Sequence, residues 1–185
     1  MIDDILLTAE DHMDKSLAVA QEEFAGIRTG RANPGMFTKL VIDYYGAPTP
    51  LQQLASITVP EARTVLIQPY DKGSMQAIER AIRDSDLGVN PSDDGVVIRL
   101  NMPELTAERR KQYAKLARTK AEEARVAVRA TRHKSRDALN KLVKDGDVGE
   151  DEAARAEKEL DALTKRHVEK VDSLLEHKEA ELLEV

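Results

Sequence analysis

The sequence predicts an α+β protein, a long antiparallel three-helix bundle interrupted by a small α+β unit. Three observations predict it. Apolar residues recur at steps of three and four over residues 2–27 and again over residues 106–183, the spacing of one buried helix face. Between them, from Thr38 to Leu100, short β-branched runs alternate with Gly- and Pro-containing turns, the pattern of strands. Aromatic residues are only 3% of the 185, so a core must be built from Leu, Ile, Val, Met and Ala, which suits helix packing better than a large β-sandwich.

The first helix is carried by Ile2, Leu6, Ala9, Met13, Leu17, Ala20, Phe24 and Ile27, one seam on a helix of about 28 residues. Gly30 suits a left-handed C-cap and Pro34 cannot continue a helix, so the stop is sharp. Leu40–Tyr45 reads as a strand and Gly46–Pro50 as a loop. Leu54–Val59 and Thr64–Gln68 follow as strands, and Met75–Arg83 as a short helix with Ile78 and Ile82 one turn apart. Residues 91–95 spell a turn, and Val96–Leu100 the last strand. Asn101–Pro103 breaks the sheet pattern.

Thr106 is a suitable N-cap for a second long helix. That helix runs to about Lys144, marked by Tyr113, Leu116, Ala117, Ala124, Val128, Leu139 and Leu142. Residues 145–149 turn the chain. A third helix then reaches about Leu183, with Ala153, Ala156, Leu160, Leu163, Val171, Leu174 and Leu182 facing inward. At 1.5 Å per residue the two helices are roughly 57 and 50 Å long, and such helices bury their seams only against one another. The bundle is therefore expected from residues 1–30 and 106–185, and the small domain from 31–105. The chain leaves the bundle through Gly30, Arg31, Ala32, Asn33 and Pro34. It returns through Asn101, Met102, Pro103, Glu104 and Leu105. Two linkers side by side, at 30–35 and 101–106, make a natural hinge.

Charge is unevenly placed. The net charge is −6, yet residues 106–136 hold eleven basic and three acidic side chains, whereas residues 145–185 hold six and fourteen. Lys111, Arg118, Arg125 and Arg132 are spaced by seven, so each lies only ~20° round the helix from the last. Arg129 and Arg136 fall near the same line. This makes a cationic face roughly 38 Å long. Such a face can be merely solvated, or paired with acids of the first or third helix. Its length and its bias to Arg also suit a nucleic-acid backbone, where the guanidinium fork grips phosphate. No aromatic interrupts the basic face, so the reading is recognition of folded RNA or a duplex by shape and phosphate, without base stacking. Arg28 and Arg31 place further charge at the end of the first helix. Positive charge is favoured there in any case, and Arg28, next to the seam residue Ile27, is expected on the bundle surface.

Catalytic and cofactor signals are missing. The four histidines are far apart and form no metalloprotease pattern, and no phosphate-binding loop or dinucleotide fingerprint is present. Asp84–Gly88 lacks the remaining ligands of a calcium loop and is better a helix end. His167 falls near the third seam and is expected as a satisfied core histidine. With no Cys, disulfides and thiolate metal sites are excluded. No apolar run approaches the ~18 residues of a membrane span, and the acidic start of the chain is unlike a secretory signal.

Several segments, in order, now make the chain resemble the bacterial ribosome recycling factors along its full length. They are Ile27–Pro34, Asp43–Gly46, Pro48–Leu51, Gln53–Ala55, Ser85–Gly88 with Asn90–Pro91, Glu108–Arg110, Ala124–Arg129 and Lys178–Leu182. The resemblance implies an L-shaped molecule of tRNA-like size, with a small β/α/β domain beside the bundle. It implies a monomer that binds the 70S ribosome at large-subunit ribosomal RNA, across the A and P sites. With elongation factor G and its GTP hydrolysis, it would split the subunits and free mRNA and tRNA. It implies a cytoplasmic protein with no catalysis, cofactor, metal or membrane partner of its own. The family's RNA-facing arginines correspond to Arg110, Arg129 and Arg132. The candidate RNA-binding set is thus Arg110, Lys111, Arg118, Arg125, Arg129, Arg132 and Arg136, with Arg28 and Arg31 at the elbow. This chain departs from the family pattern at Ala107, where an acid is common, and at Ala130 and His133, where an amide and an arginine are common. A general RNA-binding bundle and a self-associating coiled-coil scaffold are the alternatives. The ordered motifs weigh against the first and the inserted domain against the second.

Overall fold

The computed structural model describes residues 1–184. Four helices and six strands follow in the order α1 (Ile2–Ala25), β1 (Val41–Tyr44), β2 (Ala47–Pro50), β3 (Ala55–Glu61), β4 (Thr64–Pro69), α2 (Met75–Asp84), β5 (Pro91–Asp93), β6 (Ile98–Asn101), α3 (Ala107–Lys144) and α4 (Glu150–Leu183). The chain forms two compact units. One comprises Met1–Phe24 with Leu116–Lys178, the other Ala25–Lys115 with the chain's end from Glu179.

The first unit is the three-helix bundle. Ala9, Met13, Leu17, Ala20 and Phe24 of α1 are buried, as their spacing predicts. Ala9 and Met13 meet Val128 and Leu139 of α3 and Ala156, Leu160 and Leu163 of α4 in one core. Bundle helices consecutive in the chain run antiparallel. Glu23 near the end of α1 pairs with Lys120 early in α3, at 2.9 Å. Arg125 of α3 pairs with Asp172 of α4, and Arg136 with Glu157, so the order reverses along the two helices. His167 is the satisfied core histidine that its position predicts. It is buried, with Nδ1 2.8 Å from the Leu163 carbonyl and Nε2 2.7 Å from an Asp14 carboxylate oxygen. Leu116, expected in the seam, is exposed. Ala117 and Ala124 are buried as expected, and Ala121 joins them.

The second unit holds the strands. β3, β4, β6 and β5 form an antiparallel sheet in that order, and β1 and β2 a separate two-stranded ribbon. Phe37, Ile42, Leu51, Ile67, Ile78 and Ile98 are among the side chains of its core. Five local details differ from the sequence expectation. α1 ends at Ala25 rather than near Ile27. Gly30 is not among the glycines with positive φ, and it matters instead by close approach, since a Cβ there would lie 3.3 Å from the Glu184 carbonyl. Residues 47–50 are a strand despite two prolines. The Tyr45–Gly46 turn joins Tyr44 to Ala47, so the alternating bond pattern leaves Pro48 and Pro50 where no ladder N–H is needed. Residues 91–93 likewise pair with β6 as a short edge strand. β6 starts only at Ile98 because the Asp94 carboxylate accepts the N–H groups of Val96 and Val97 at 2.9 and 2.8 Å. Thr106 caps α3 as expected, its hydroxyl accepting the Arg109 N–H at 3.1 Å.

Leu160 is fully buried at the bundle centre. Leu160→Ala is expected to lower the unfolding free energy by about 2–5 kcal/mol through lost transfer and a residual cavity, as read from urea titration followed by circular dichroism.

Candidate nucleic-acid interface

Within the bundle, α3 presents Arg118, Arg125, Arg129, Arg132 and Arg136, and acids of α4 pair with Arg125, Arg132 and Arg136. Arg125 gives both Nε and Nη2 to one oxygen of Asp172, at 2.8 and 2.6 Å, and Nη1 to Glu122 at 3.1 Å. Arg132 Nε lies 2.7 Å from Asp161, and Arg136 Nε 2.9 Å from Glu157. Burial works against the charge of Arg125, but its bonds to Asp172 and Glu122 outweigh it, and its pKa stands above the usual arginine value. Its side chain is only 19% exposed. The stripe is therefore a paired face over part of its length, the competitor that the sequence left open.

Arg129 differs. It is 56% exposed, and its guanidinium reaches Glu122 at 3.7 Å, beyond hydrogen-bond range. Arg132 and Arg136 keep one Nε contact each and remain substantially exposed, at 38% and 49%. Exposed pairs of this kind contribute about 0–1 kcal/mol, so a phosphate can replace the carboxylate at small cost and gain a bidentate bond. Arg118 is exposed on the same helix. Lys120, outside the stripe, is held between Glu23 at 2.9 Å and Glu123 at 3.2 Å, and these bonds raise its pKa.

The second unit contains Arg28, Arg31, Arg110 and Lys111. Arg31 and Lys111 are exposed. Arg110 is half-buried, with a buried Nε that has no acceptor. Arg31, Arg110 and Arg63 line a cleft of about 230 Å³ with Gly30, Glu104 and Glu184. Arg63 pairs with Glu104 at 3.3 Å. Sequence reasoning missed Arg63, a lone cation in the β3–β4 turn with no pattern to mark it.

Arg28 corrects the expectation of a surface cation. It is 5% exposed. Nη1 donates to the Leu87 carbonyl at 2.6 Å and Nη2 to the Pro103 carbonyl at 2.5 Å. Burial depresses its pKa, and the nearby Arg109 adds to this while Tyr113 opposes it. α1 stops at Ala25, so residues 27–29 no longer follow the helix surface and all three are buried. Arg28 thus serves as an internal brace and offers no face to phosphate. Nearby, the Tyr113 hydroxyl donates to the Asp86 carbonyl at 3.2 Å, so the turn after α2 is held from two sides.

The linker residues are also partly tied. The Ala32 N–H donates to the Ala62 carbonyl at 2.7 Å, and the Met102 N–H to the Arg63 carbonyl at 2.8 Å. Both linkers therefore attach to the same β3–β4 turn. The Asn33 side chain accepts the Gly35 N–H at 2.9 Å and caps the short 3-10 turn Pro34–Met36. Glycine suits position 35, because a Cβ would lie 3.0 Å from the Ala25 Cβ and 3.2 Å from its carbonyl oxygen, a tight fit.

Among the described residues no cluster of three His, Asp or Glu side chains is placed to hold a metal. No described helix is long and apolar enough to cross a membrane.

Known proteins with this sequence pattern and fold are similar throughout. A family profile described as ribosome recycling factor matches residues 20–183. The ribosome-recycling factor of Beutenbergia cavernae is 64% identical over 185 residues, covering 100% of both chains. That of Acidothermus cellulolyticus is also 64% identical over the full length of both. A solution structure of the ribosome recycling factor is similar with a TM-score of 0.76 and 38% identity, over 100% of this chain and 98% of that one. A second structure, of the T. thermophilus ribosome recycling factor with E. coli elongation factor G on the E. coli post-termination complex, is similar with a TM-score of 0.70 and 45% identity over all of both chains.

The two kinds of arginine should separate in stability. Arg28→Ala strands two carbonyls and is expected to cost about 2–5 kcal/mol at the usual penalty per unmet partner, with Arg28→Lys recovering half or less because an ammonium cannot span both. Arg129→Ala is expected to stay within about 0.5 kcal/mol of the parent. Urea unfolding of the three variants checks both.

Proposed function

The chain belongs to the ribosome recycling factor family, and we propose on that premise that it binds the post-termination 70S ribosome and clears it for re-initiation. Together with elongation factor G, and with GTP hydrolysis by that factor, it splits the subunits and releases mRNA and tRNA. It acts by binding and displacement and carries out no reaction itself. A ribosomal partner carries with it a cytoplasmic site of action. The observation that carries the reading is full-length similarity, at 45% identity, to a recycling factor described on the post-termination complex with elongation factor G.

The α3 arginines are the proposed contacts to large-subunit ribosomal RNA. Arg129 is the most available, Arg132 and Arg136 exchange a carboxylate for a phosphate, and Arg118 and Lys111 extend the face along the helix. Arg125 is held most firmly by α4 and chiefly stabilises the bundle. Arg110 and Arg31 supply charge at the cleft beside the linkers. RNA recognised in this way is gripped by phosphate position, consistent with the absence of aromatic side chains on the α3 face. Ala130 and His133 leave Arg129 and Arg132 without an amide and a second arginine as neighbours, so each carries more of the contact. The linkers Gly30–Pro34 and Asn101–Leu105 are the proposed hinge through which the factor's push is received.

Sedimentation of purified post-termination ribosomes with this protein, elongation factor G and GTP tests the function. Subunits should appear beyond the factor-alone control, and splitting equal to that control would refute it. Arg129→Ala and Arg132→Ala should each weaken ribosome binding and reduce the slope of log affinity against log salt by about one. Unchanged affinity and slope would mean that these side chains touch no phosphate.

A further inference from the structure

Tyr45 stands in a conformation its side chain does not favour. Its φ is +50°, and among the described residues it is the one non-glycine with positive φ. With Gly46 at +84° it forms the two-residue turn between β1 and β2. Positive φ at both central positions is the type I′ pattern, for which Asn or Asp is favoured at the first position. A bulky residue in that conformation is strained.

The strain is not explained by folding. Tyr45 is 78% exposed, so its ring buries little apolar area. Its hydroxyl donates to Asp71 Oδ2 at 3.1 Å, but Tyr44 makes the same bond to the same oxygen at the same distance. Asp71 is anchored independently, its Oδ1 accepting the Gly73 N–H at 2.9 Å. That backbone bond, with the two phenols, holds the Asp71 carboxyl below the usual range. The Tyr44 and Tyr45 rings meet edge to face with centroids 4.6 Å apart. A Cβ on Gly73 would come within 2.7 Å of the Tyr45 hydroxyl, so glycine at that position keeps room for the clasp. The result is a rigid, outward-facing ring whose orientation is fixed before any partner arrives. Tyr70, next to Asp71 in the chain, is 71% exposed.

We propose that this turn is a receptor for a cationic side chain, an arginine or lysine on a protein surface of the recycling assembly, with Tyr45 as its anchor. The ring face carries negative quadrupole charge. Two carboxylates belong to the same turn region: Asp71, which accepts both phenol hydroxyls, and Asp43, whose Oδ1 accepts the Gly46 N–H at 2.9 Å. Lys72 is the cation that the adjoining segment adds. Lys39 precedes the far end of β1, about 16–20 Å along an extended strand. Rings that stack RNA bases are set in cationic grooves, and the carboxylates here argue for a basic protein instead. A pre-set tyrosine loses little freedom on binding, which is why such residues dominate interface energetics.

The proposal rests on the recycling reading for the identity of the assembly. Three variants test it on post-termination ribosomes with elongation factor G and GTP: Tyr45→Phe, Tyr45→Asn and Tyr45→p-azidophenylalanine. Tyr45→Asn suits the turn, so its urea midpoint should equal or exceed the parent's while splitting slows about 3- to 10-fold. Tyr45→Phe keeps the ring and should stay within about twofold. Photocrosslinks from the azide should map to a protein peptide containing Arg or Lys. Equal losses for Phe and Asn, a lowered midpoint for Asn, normal splitting by Asn, no crosslink, or crosslinks to ribosomal RNA would each overturn the receptor. Failure of the parent protein to bind or split ribosomes would fell the recycling reading and the receptor together, and shows in the parent alone.

Discussion

The second unit depends on one buried cation. Arg28 follows α1 by three residues, and its guanidinium joins the carbonyls of Leu87 and Pro103. Leu87 belongs to the turn after α2, and Pro103 to the segment that leads from β6 into α3. One side chain therefore fixes three stretches that are remote in sequence. Only arginine has the planar fork to meet two carbonyls at once. The cost of burying its charge appears as a depressed pKa, and its Nε is left without an acceptor. Removing the side chain would leave two carbonyls without their donors, so the arrangement is held as much by what its loss exposes as by what its bonds contribute.

In the bundle, charge works differently. A chain with a net charge of −6 presents a cationic helix by placing its acids opposite. Asp161, Asp172 and Glu157 of α4 hold Arg132, Arg125 and Arg136 of α3. The pairs of Arg132 and Arg136 are exposed and add little stability each, the less exposed pair of Arg125 adds more, and the apolar core around Met13, Leu139 and Leu160 provides most of it. What the pairs supply is orientation. They restrict flexible arginines on the helix surface, so less side-chain freedom would remain to be lost to an anionic partner of the kind proposed above.

The helices were legible because burial writes its period into the sequence. Met13, Leu17 and Phe24, or Val128 and Leu139, lie where steps of three and four place them. The β1–β2 ribbon was hidden by Pro48 and Pro50, which signal a loop unless the register that spares their missing N–H is known. β5 was hidden by the turn residues around it. The pairing of the α3 face was only half legible. The acids were visible in α4, but a seam pattern does not say which surface residues of two helices meet. Arg28 was misread because its neighbour Ile27 continues the α1 seam after the helix itself has ended. Arg63 gave no signal, since a cation in a turn is ordinary.

The bonds around the linkers narrow where a proposed hinge has freedom. Ala32 and Met102 are tied to Ala62 and Arg63, and Asn33 is engaged in capping Pro34–Met36. These residues move with the β3–β4 turn or not at all. Arg28 holds Pro103 on the other side. Fewer bonds reach Thr29–Arg31 and Glu104–Thr106, where the Thr29 hydroxyl donates to the Arg31 carbonyl at 3.1 Å and Glu104 pairs with Arg63 at 3.3 Å, so a hinge as proposed would bend there most easily. A rotation there, if the proposed hinge bends, would either carry the turn after α2 along or break the bonds of Arg28 to Leu87 and of Tyr113 to Asp86. Each such bond contributes about 0.5–3 kcal/mol, within reach of a partner that binds the bent form more tightly.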